Sequence, residues 1–232
     1  MIFNIRGTSG SGKTTLVRRI MADYPRVIKF KDPASRTKLL GYWLEKPKFP
    51  RVAVIGGYEN ACGGCDTITS YDRVYELVRE ARSHGCVVIF EGLLLSGDTR
   101  RTIELHREMP PVTVIELNTP LDECLASVNK RRRAKDPNKP DVNPKNTEAK
   151  FRCIKTSMRK LSEAGLRTVS LNREEAYQML WSEISLIPTP WGPGALLDNG
   201  KLATAGGPAE SSDFQNWHTA DGHTFTTPRI VP

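Results

Sequence analysis

Gly7-Thr8-Ser9-Gly10-Ser11-Gly12-Lys13-Thr14 spells G-x-x-x-x-G-K-[ST], with an apolar strand over 2–5 before it and an amphipathic run over 14–21 after it. Strand, loop and helix in that order are the context a phosphate-binding loop requires. Its glycines let successive N–H groups turn inward as an anion nest, and the positive end of the next helix strengthens the field. The pattern assigns Gly7, Thr8, Ser9, Gly10, Ser11, Gly12, Lys13, Thr14 and the adjoining Thr15 to a nucleoside triphosphate. Lys13 reaches the β- and γ-phosphates, and the Thr14 hydroxyl completes a Mg²⁺ shell.

Working outward, apolar runs alternate with helical spacings along the chain. Strands are expected over 26–30, 39–45, 51–58, 86–91, 112–117 and 166–171, and helices over 71–84, 98–108, 121–133, from 146 onward and over 174–184. Alternation of this kind predicts an α/β class, a P-loop NTPase fold with a doubly wound, mostly parallel sheet. The piece over 39–58 reads as a hairpin or a strand returning to that sheet.

Three carboxylates follow predicted strands, on the side where an open parallel sheet binds its ligands. Asp32 stands after the second strand, Asp66 in a loop with four glycines in twelve residues, and Glu91 at the end of Cys86-Val87-Val88-Ile89-Phe90-Glu91. An apolar strand delivering an acid to the phosphate site is the Walker B arrangement, so Glu91 is the expected metal partner of Thr14. Asp32 and Asp66 are the candidate bases for an acceptor hydroxyl, with Asp32 slightly preferred.

The net charge of +8 is concentrated rather than spread. Residues 130–160 hold twelve Lys or Arg against three acids, an excess of nine. A helix ending in Lys130-Arg131-Arg132-Arg133, then a proline-rich insert over 134–146, then a returning helix is the layout of a closing lid, placed at about 130–150. Arg131 and Arg132 are the expected cations on the transferring phosphoryl group. The returning helix carries Arg152, Lys155 and Arg159 as a basic stripe. So much positive charge exceeds what one triphosphate requires and suits a nucleic-acid backbone.

The domain is expected to span 1–185. From 186 to 232 the composition turns to Pro, Gly, Ser and Thr, which predicts a poorly ordered tail, with Trp191, Phe214, Trp217 and Phe225 as possible anchors. Five scattered cysteines, including Cys62 and Cys65, argue for reduced thiols over a disulfide framework. No apolar run is long enough to span a membrane and the start reads as a strand, so a cytoplasmic protein without a membrane partner is expected.

The opening residues Asn4 to Thr14, the loop around Tyr58 that runs into Cys65-Asp66-Thr67, and Ile89-Phe90-Glu91-Gly92 together resemble the bacteriophage P-loop kinases related to thymidylate kinase. The resemblance covers residues 1–185. It implies ATP-dependent phosphorylation of the 5-hydroxymethyl group of hydroxymethyluracil in DNA, a step toward thymidine hypermodification, in the host cytoplasm. It further implies ATP and Mg²⁺ as cofactors, and DNA as substrate. Phe90-Glu91-Gly92 replaces the Asp-Arg pair that thymidylate kinases show after this strand, which argues against free thymidine monophosphate as acceptor. Because a base must leave the duplex to be phosphorylated, Tyr42, Trp43 and Tyr58 are candidates to receive it, with core packing the other role for Trp43. The residues alone leave open a kinase of small molecules or free nucleotides, and an NTP-dependent switch.

Overall fold

In a computed structural model that describes residues 1–60, 62–187, 214–218 and 224–228, one seven-stranded sheet carries helices on both faces. The strands are β1 (Ile2–Arg6), β2 (Arg26–Asp32), β3 (Ser35–Glu45), β4 (Val52–Ile55), β5 (Val87–Glu91), β6 (Val112–Leu117) and β7 (Arg167–Leu171). The helices are α1 (Lys13–Ala22), α2 (Tyr71–Ser83), α3 (Arg100–Glu108), α4 (Leu121–Lys135), α5 (Pro144–Glu163) and α6 (Arg173–Ser185). The strand order is β2-β3-β4-β5-β1-β6-β7. From β4 to β7 every pairing is parallel, whereas β3 runs antiparallel to both β2 and β4. The expected doubly wound sheet is present, extended at one edge by the hairpin.

Burial explains the strand compositions. Every residue of β1, β5 and β6 is buried between two helical layers, so these central strands are mostly apolar on both faces rather than alternating, with Asn4, Arg6, Glu91, Thr113 and Glu116 as the buried polar exceptions. One core packs α2, α3 and α5 on the sheet through Ile2, Val88, Phe90 and Val114. The other packs α1 and α6 through Phe3, Ile5, Ile89 and Ile115. Alternate residues of β1 therefore feed opposite cores, the period-two geometry of a strand.

Register decides what meets at the sheet's carboxyl edge. Ile5 pairs with Glu91, and Arg6 with Glu116, so the loop after β1 opens beside the acid that ends β5. The position is a topological switch point, since β1 sits between β5 and β6 and the chain leaves it in both directions.

The predicted lid is a helix pair with a short connector. Helix α4 runs to Lys135 and α5 begins at Pro144, capped by Asn143 Oδ1, which accepts the Lys145 N–H. The expected flap over 134–146 is thus shortened to eight residues, because proline is suited to the first turn of a helix and Pro144 starts one. The connector is tied down. Asn129 Oδ1 accepts the Val142 N–H at 2.8 Å, Arg132 Nε donates to the Pro140 carbonyl at 3.1 Å, and Arg133 pairs with Asp141.

Beyond residue 187, strands β8 (Phe214–His218) and β9 (Thr224–Pro228) pair antiparallel. The remainder of the tail, with Trp191, and the anchoring roles expected of Trp191, Phe214, Trp217 and Phe225 lie outside the described residues. Among the described residues, no helix is long and apolar enough to cross a membrane.

Candidate active site

Gly12 ends the loop in the left-handed region, at φ 94°, and hands the chain to α1. A side chain at Gly10, φ 85°, would press its Cβ to 2.2 Å from the Cys124 carbonyl oxygen of α4. Glycine is therefore dictated at both positions by backbone conformation, and at Gly10 also by the close passage of the lid helix. Ser11 Oγ is buried with no partner among the described residues, a donor left for an anion. Its carbonyl is held by Thr119 Oγ1 at 2.9 Å, from the loop after β6.

Lys13 is buried, its Nζ donating to the carbonyls of Gly7 at 2.8 Å and Thr8 at 3.2 Å. Burial pushes its ammonium below the ordinary lysine value, while Glu91 and Asp66 pull it back up and Arg131 pushes it further down. Lys13 thus feels the charges of Glu91, Asp66 and Arg131 together.

The Thr14 hydroxyl donates to Glu91 Oε1 at 2.8 Å. Glu91 is 1% exposed, and burial raises its carboxyl pKa above the ordinary value against the opposing pull of Lys13 and Thr14. Two oxygen ligands side by side at the loop's end fit a hard cation completed by phosphate oxygens and waters. The described residues hold no cluster of three or more His, Cys, Asp or Glu able to bind a metal by themselves.

The glycine-rich loop after β4 folds back over this pair. Gly64 N–H donates to the Gly57 carbonyl at 2.7 Å, and Thr67 Oγ1 accepts the Gly57 N–H at 3.0 Å while donating to the Gly64 carbonyl at 2.8 Å. Gly64, at φ 83°, lies on the Glu91 carboxylate, where a Cβ would come within 2.5 Å of Oε1. From α1, Arg18 clamps the loop through the Tyr58 carbonyl at 2.7 Å and the Asn60 carbonyl at 2.5 Å. Cys65 is buried with its thiol on the Ile55 carbonyl, and Cys62 is exposed, so the pair serves the turn.

Asp66 is exposed at the site's edge. Its carboxylate accepts the backbone N–H groups of Leu93 at 2.8 Å and Leu94 at 3.3 Å, the turn that follows Glu91-Gly92. Asp32 is placed elsewhere. It accepts the Ala34 N–H at 3.0 Å and faces Lys38 at 3.9 Å, closing the β2–β3 turn. Asp32 thus stands away from the phosphate loop: β2 is the outermost strand, four positions from β1 in the sheet, and an edge hairpin needs its aspartate for the turn.

Of the arginines, Arg131 shares the field of Lys13, whereas Arg132 is engaged with the connector. Thr15 is exposed on the first turn of α1. Arg152 pairs with Glu148, Lys155 with the buried Glu116 at 3.0 Å, and Arg159 with Glu163, so the expected stripe is largely neutralised. Tyr42 and Tyr58 are buried together, with Tyr58 N–H donating to Tyr42 Oη, and Trp43 packs on Phe30 at 4.7 Å. These aromatics are core in the described structure. The run Asn138-Lys139-Pro140-Asp141 matches the N-K-x-D spelling of guanine-reading loops, but it forms the helix connector and Asp141 is held by Arg133.

Sequence reasoning missed the residue directly under the loop. Arg6 is 0% exposed and donates to the carbonyls of Ser96 at 3.2 Å and Asp98 at 2.6 Å, and to the hydroxyls of Ser157 at 3.1 Å and Thr102 at 2.8 Å. Burial lowers its pKa to about 10. Ser96 Oγ in turn lies 3.4 Å from both Gly7 N and Gly7 O. Arg6 thus links the start of the phosphate loop to α3 and α5, a role no short motif encodes. Arg173 was missed for the same reason; its Cδ lies 3.2 Å from where a Gly12 Cβ would stand.

A family model described as an AAA domain matches residues 2–152. A protein of Pseudomonas phage PaMx11 named 5-hmdU DNA kinase is 48% identical over 182 residues, covering 77% of this chain and 94% of the phage protein. A second 5-hmdU DNA kinase, from Delftia phage PhiW-14, is 28% identical over 188 residues, or 75% and 68% of the two chains. Among solved structures, deoxyadenosine kinase from M. mycoides aligns over 81% of this chain and 100% of that one, at 13% identity and a TM-score of 0.42.

Proposed function

The chain belongs to the AAA-domain P-loop kinases and, within them, to the phage 5-hmdU DNA kinases; from that premise we propose that it transfers the γ-phosphoryl group of ATP to the 5-hydroxymethyl oxygen of hydroxymethyluracil in DNA. The observation that carries the reading beyond the name is the juxtaposition of the Thr14–Glu91 pair with Asp66 at one edge of the phosphate loop. In this reading the hydroxymethyl oxygen attacks the γ-phosphorus, the bond to the bridging oxygen breaks, and ADP leaves. The hydroxyl proton passes to Asp66, the acid at the exposed edge. Glu91 is enclosed and bound to Thr14, which suits a metal partner. Thr14 and Glu91 would hold Mg²⁺, which would supply charge neutralisation on the phosphates. Lys13 and Arg131 supply the protein's own cations to the transferring group, and Arg132 holds the lid connector that positions Arg131.

The DNA contacts are assigned to the lid. In α4, α5 and their connector, Lys130, Lys135, Lys139, Lys145 and Lys150 form no ion pair with a described residue, which leaves them for a polyanion. The kinase domain is taken as 1–185 with its lid at about 130–150.

The test is incubation with γ-labelled ATP and Mg²⁺ against hydroxymethyluracil DNA, ordinary thymine DNA, and free nucleosides and nucleotides. Label on hydroxymethyluracil DNA alone supports the reading. Label only on small molecules replaces it with a nucleoside or nucleotide kinase, and phosphate release without labelled acceptor with a switch.

A further inference from the structure

Leu93, Leu94 and Leu95 follow Glu91-Gly92 as an apolar run, but the fold treats them differently. Leu95 is 1% exposed in the core, whereas Leu94 is 52% exposed. Only Val27 on the edge strand and Leu186 after α6 are comparably exposed large apolar residues among those described. Leu94 alone stands at the catalytic edge.

Its presentation is rigid. The Asp66 carboxylate accepts the N–H groups of both Leu93 and Leu94. The next residues form a turn whose Ser96 carbonyl accepts from Arg6 at 3.2 Å and from Ser157 Oγ of α5 at 2.9 Å. A single exposed leucine is ordinary on a protein surface; what sets Leu94 apart is its place, on a turn whose backbone N–H groups are held by Asp66 three residues after Glu91. The turn is also flanked by charge of the right sign. Lys150 Nζ lies 3.6 Å from where a Gly97 Cβ would be, and it has no ion pair among the described residues.

We propose that Leu94 is a wedge that enters the base stack of duplex DNA where the target nucleotide has been extruded, with Lys150 on an adjacent phosphate. This rests on the reading that the acceptor is a base in DNA. An apolar side chain filling the gap offsets the stacking lost on extrusion, and Leu is among the residues used for this in other DNA-deforming proteins. Because Asp66 holds the Leu94 backbone, the wedge and the proposed base are fixed relative to each other. The single-stranded acceptor needs no wedge, which makes strandedness the discriminating variable.

The experiment compares wild type, Leu94→Ala and Leu94→Phe on one hydroxymethyluracil oligonucleotide, single-stranded and annealed. Leu94→Ala is expected to lose about tenfold in kcat/KM on the duplex with the single strand within twofold, and Leu94→Phe to retain duplex activity. A 2-aminopurine beside the target should brighten on binding of wild type and stay quenched with Leu94→Ala. Equal losses on both strand forms, or no loss on either, would overturn the wedge while leaving the base kinase standing. Wild type that labels neither strand form would overturn the base-kinase reading and the wedge with it.

Discussion

The hydroxyl of Thr14 donates to Oε1 of Glu91 across 2.8 Å, joining the last residue of the phosphate loop to the end of β5. Replacing Glu91 by Gln keeps the volume and removes the anion. Phosphoryl transfer is expected to fall by about 10²-fold, the scale seen when one preorganised electrostatic group is lost. Steady-state kinetics with a circular dichroism check of the fold decides it; unchanged kcat would remove Glu91 from the site.

The same carboxylate is expected to shape the acid limb of the rate profile. Burial raises its pKa above the ordinary value of 4.5, so the active ionised form is present above the raised value and lost as pH falls through it. The sign for stability is opposite. Between the unfolded and folded pKa values the native state binds more protons, so stability declines as pH rises through that window. Glu91→Gln should therefore unfold at higher denaturant concentration than wild type at pH 7, and the advantage should vanish below about pH 4. A variant less stable than wild type at pH 7 would contradict this.

Gly64 lies on that carboxylate at φ 83°, and a Cβ would stand 2.5 Å from Oε1. Gly64→Ala is expected to destabilise the fold by about 1–3 kcal/mol, from overpacking and the left-handed conformation together. It should also lower the rate by displacing Glu91. Thermal unfolding and kcat measured on one preparation test both effects.

Arg6 satisfies two carbonyls and two hydroxyls in the core beneath the loop. Arg6→Met leaves those acceptors without their donor and should cost on the order of 3 kcal/mol or more, since each unsatisfied buried group costs roughly 1–3 kcal/mol. Arg6→Lys returns one cation without the fork and should recover only part of that loss. Equilibrium urea unfolding separates these outcomes, and a loss under 1 kcal/mol for Arg6→Met would reduce the network to a bystander.

Replacing Lys135, Lys139 and Lys145 by Gln should weaken DNA binding evenly across sequences and flatten its salt dependence. Each lost phosphate contact lowers the log–log slope by roughly 0.9 on duplex DNA. Binding titrations at several salt concentrations supply the slope, and an unchanged slope would move the DNA contact away from the lid connector.

Much of the architecture was legible along the chain because it is written in local terms. The loop from Gly7 to Thr14, the apolar run ending at Glu91 and the alternation of strands and helices each depend on neighbours in sequence, and each appears where expected. The parts that were misread depend on distant partners. Asp32 and Asp66 look alike on the page, each an acid after a strand. Strand order places one on an outer hairpin turn and the other beside Glu91. Arg152, Lys155 and Arg159 have helical spacing, yet Lys155 meets Glu116, nearly forty residues away, on β6.

By itself the sequence determined the phosphate loop, the sheet class and the seat of the positive charge, because glycine conformation, side-chain period and net charge are properties of contiguous residues. Tertiary structure alone decided that Asp32 closes an edge turn while Asp66 lies beside Glu91, which arginine shares the field of Lys13, that Arg6 braces the site from below, and that Leu94 stands exposed while Leu95 is buried. Those are outcomes of strand order and of competition for a limited number of buried partners, and neither is fixed until the whole sheet has assembled.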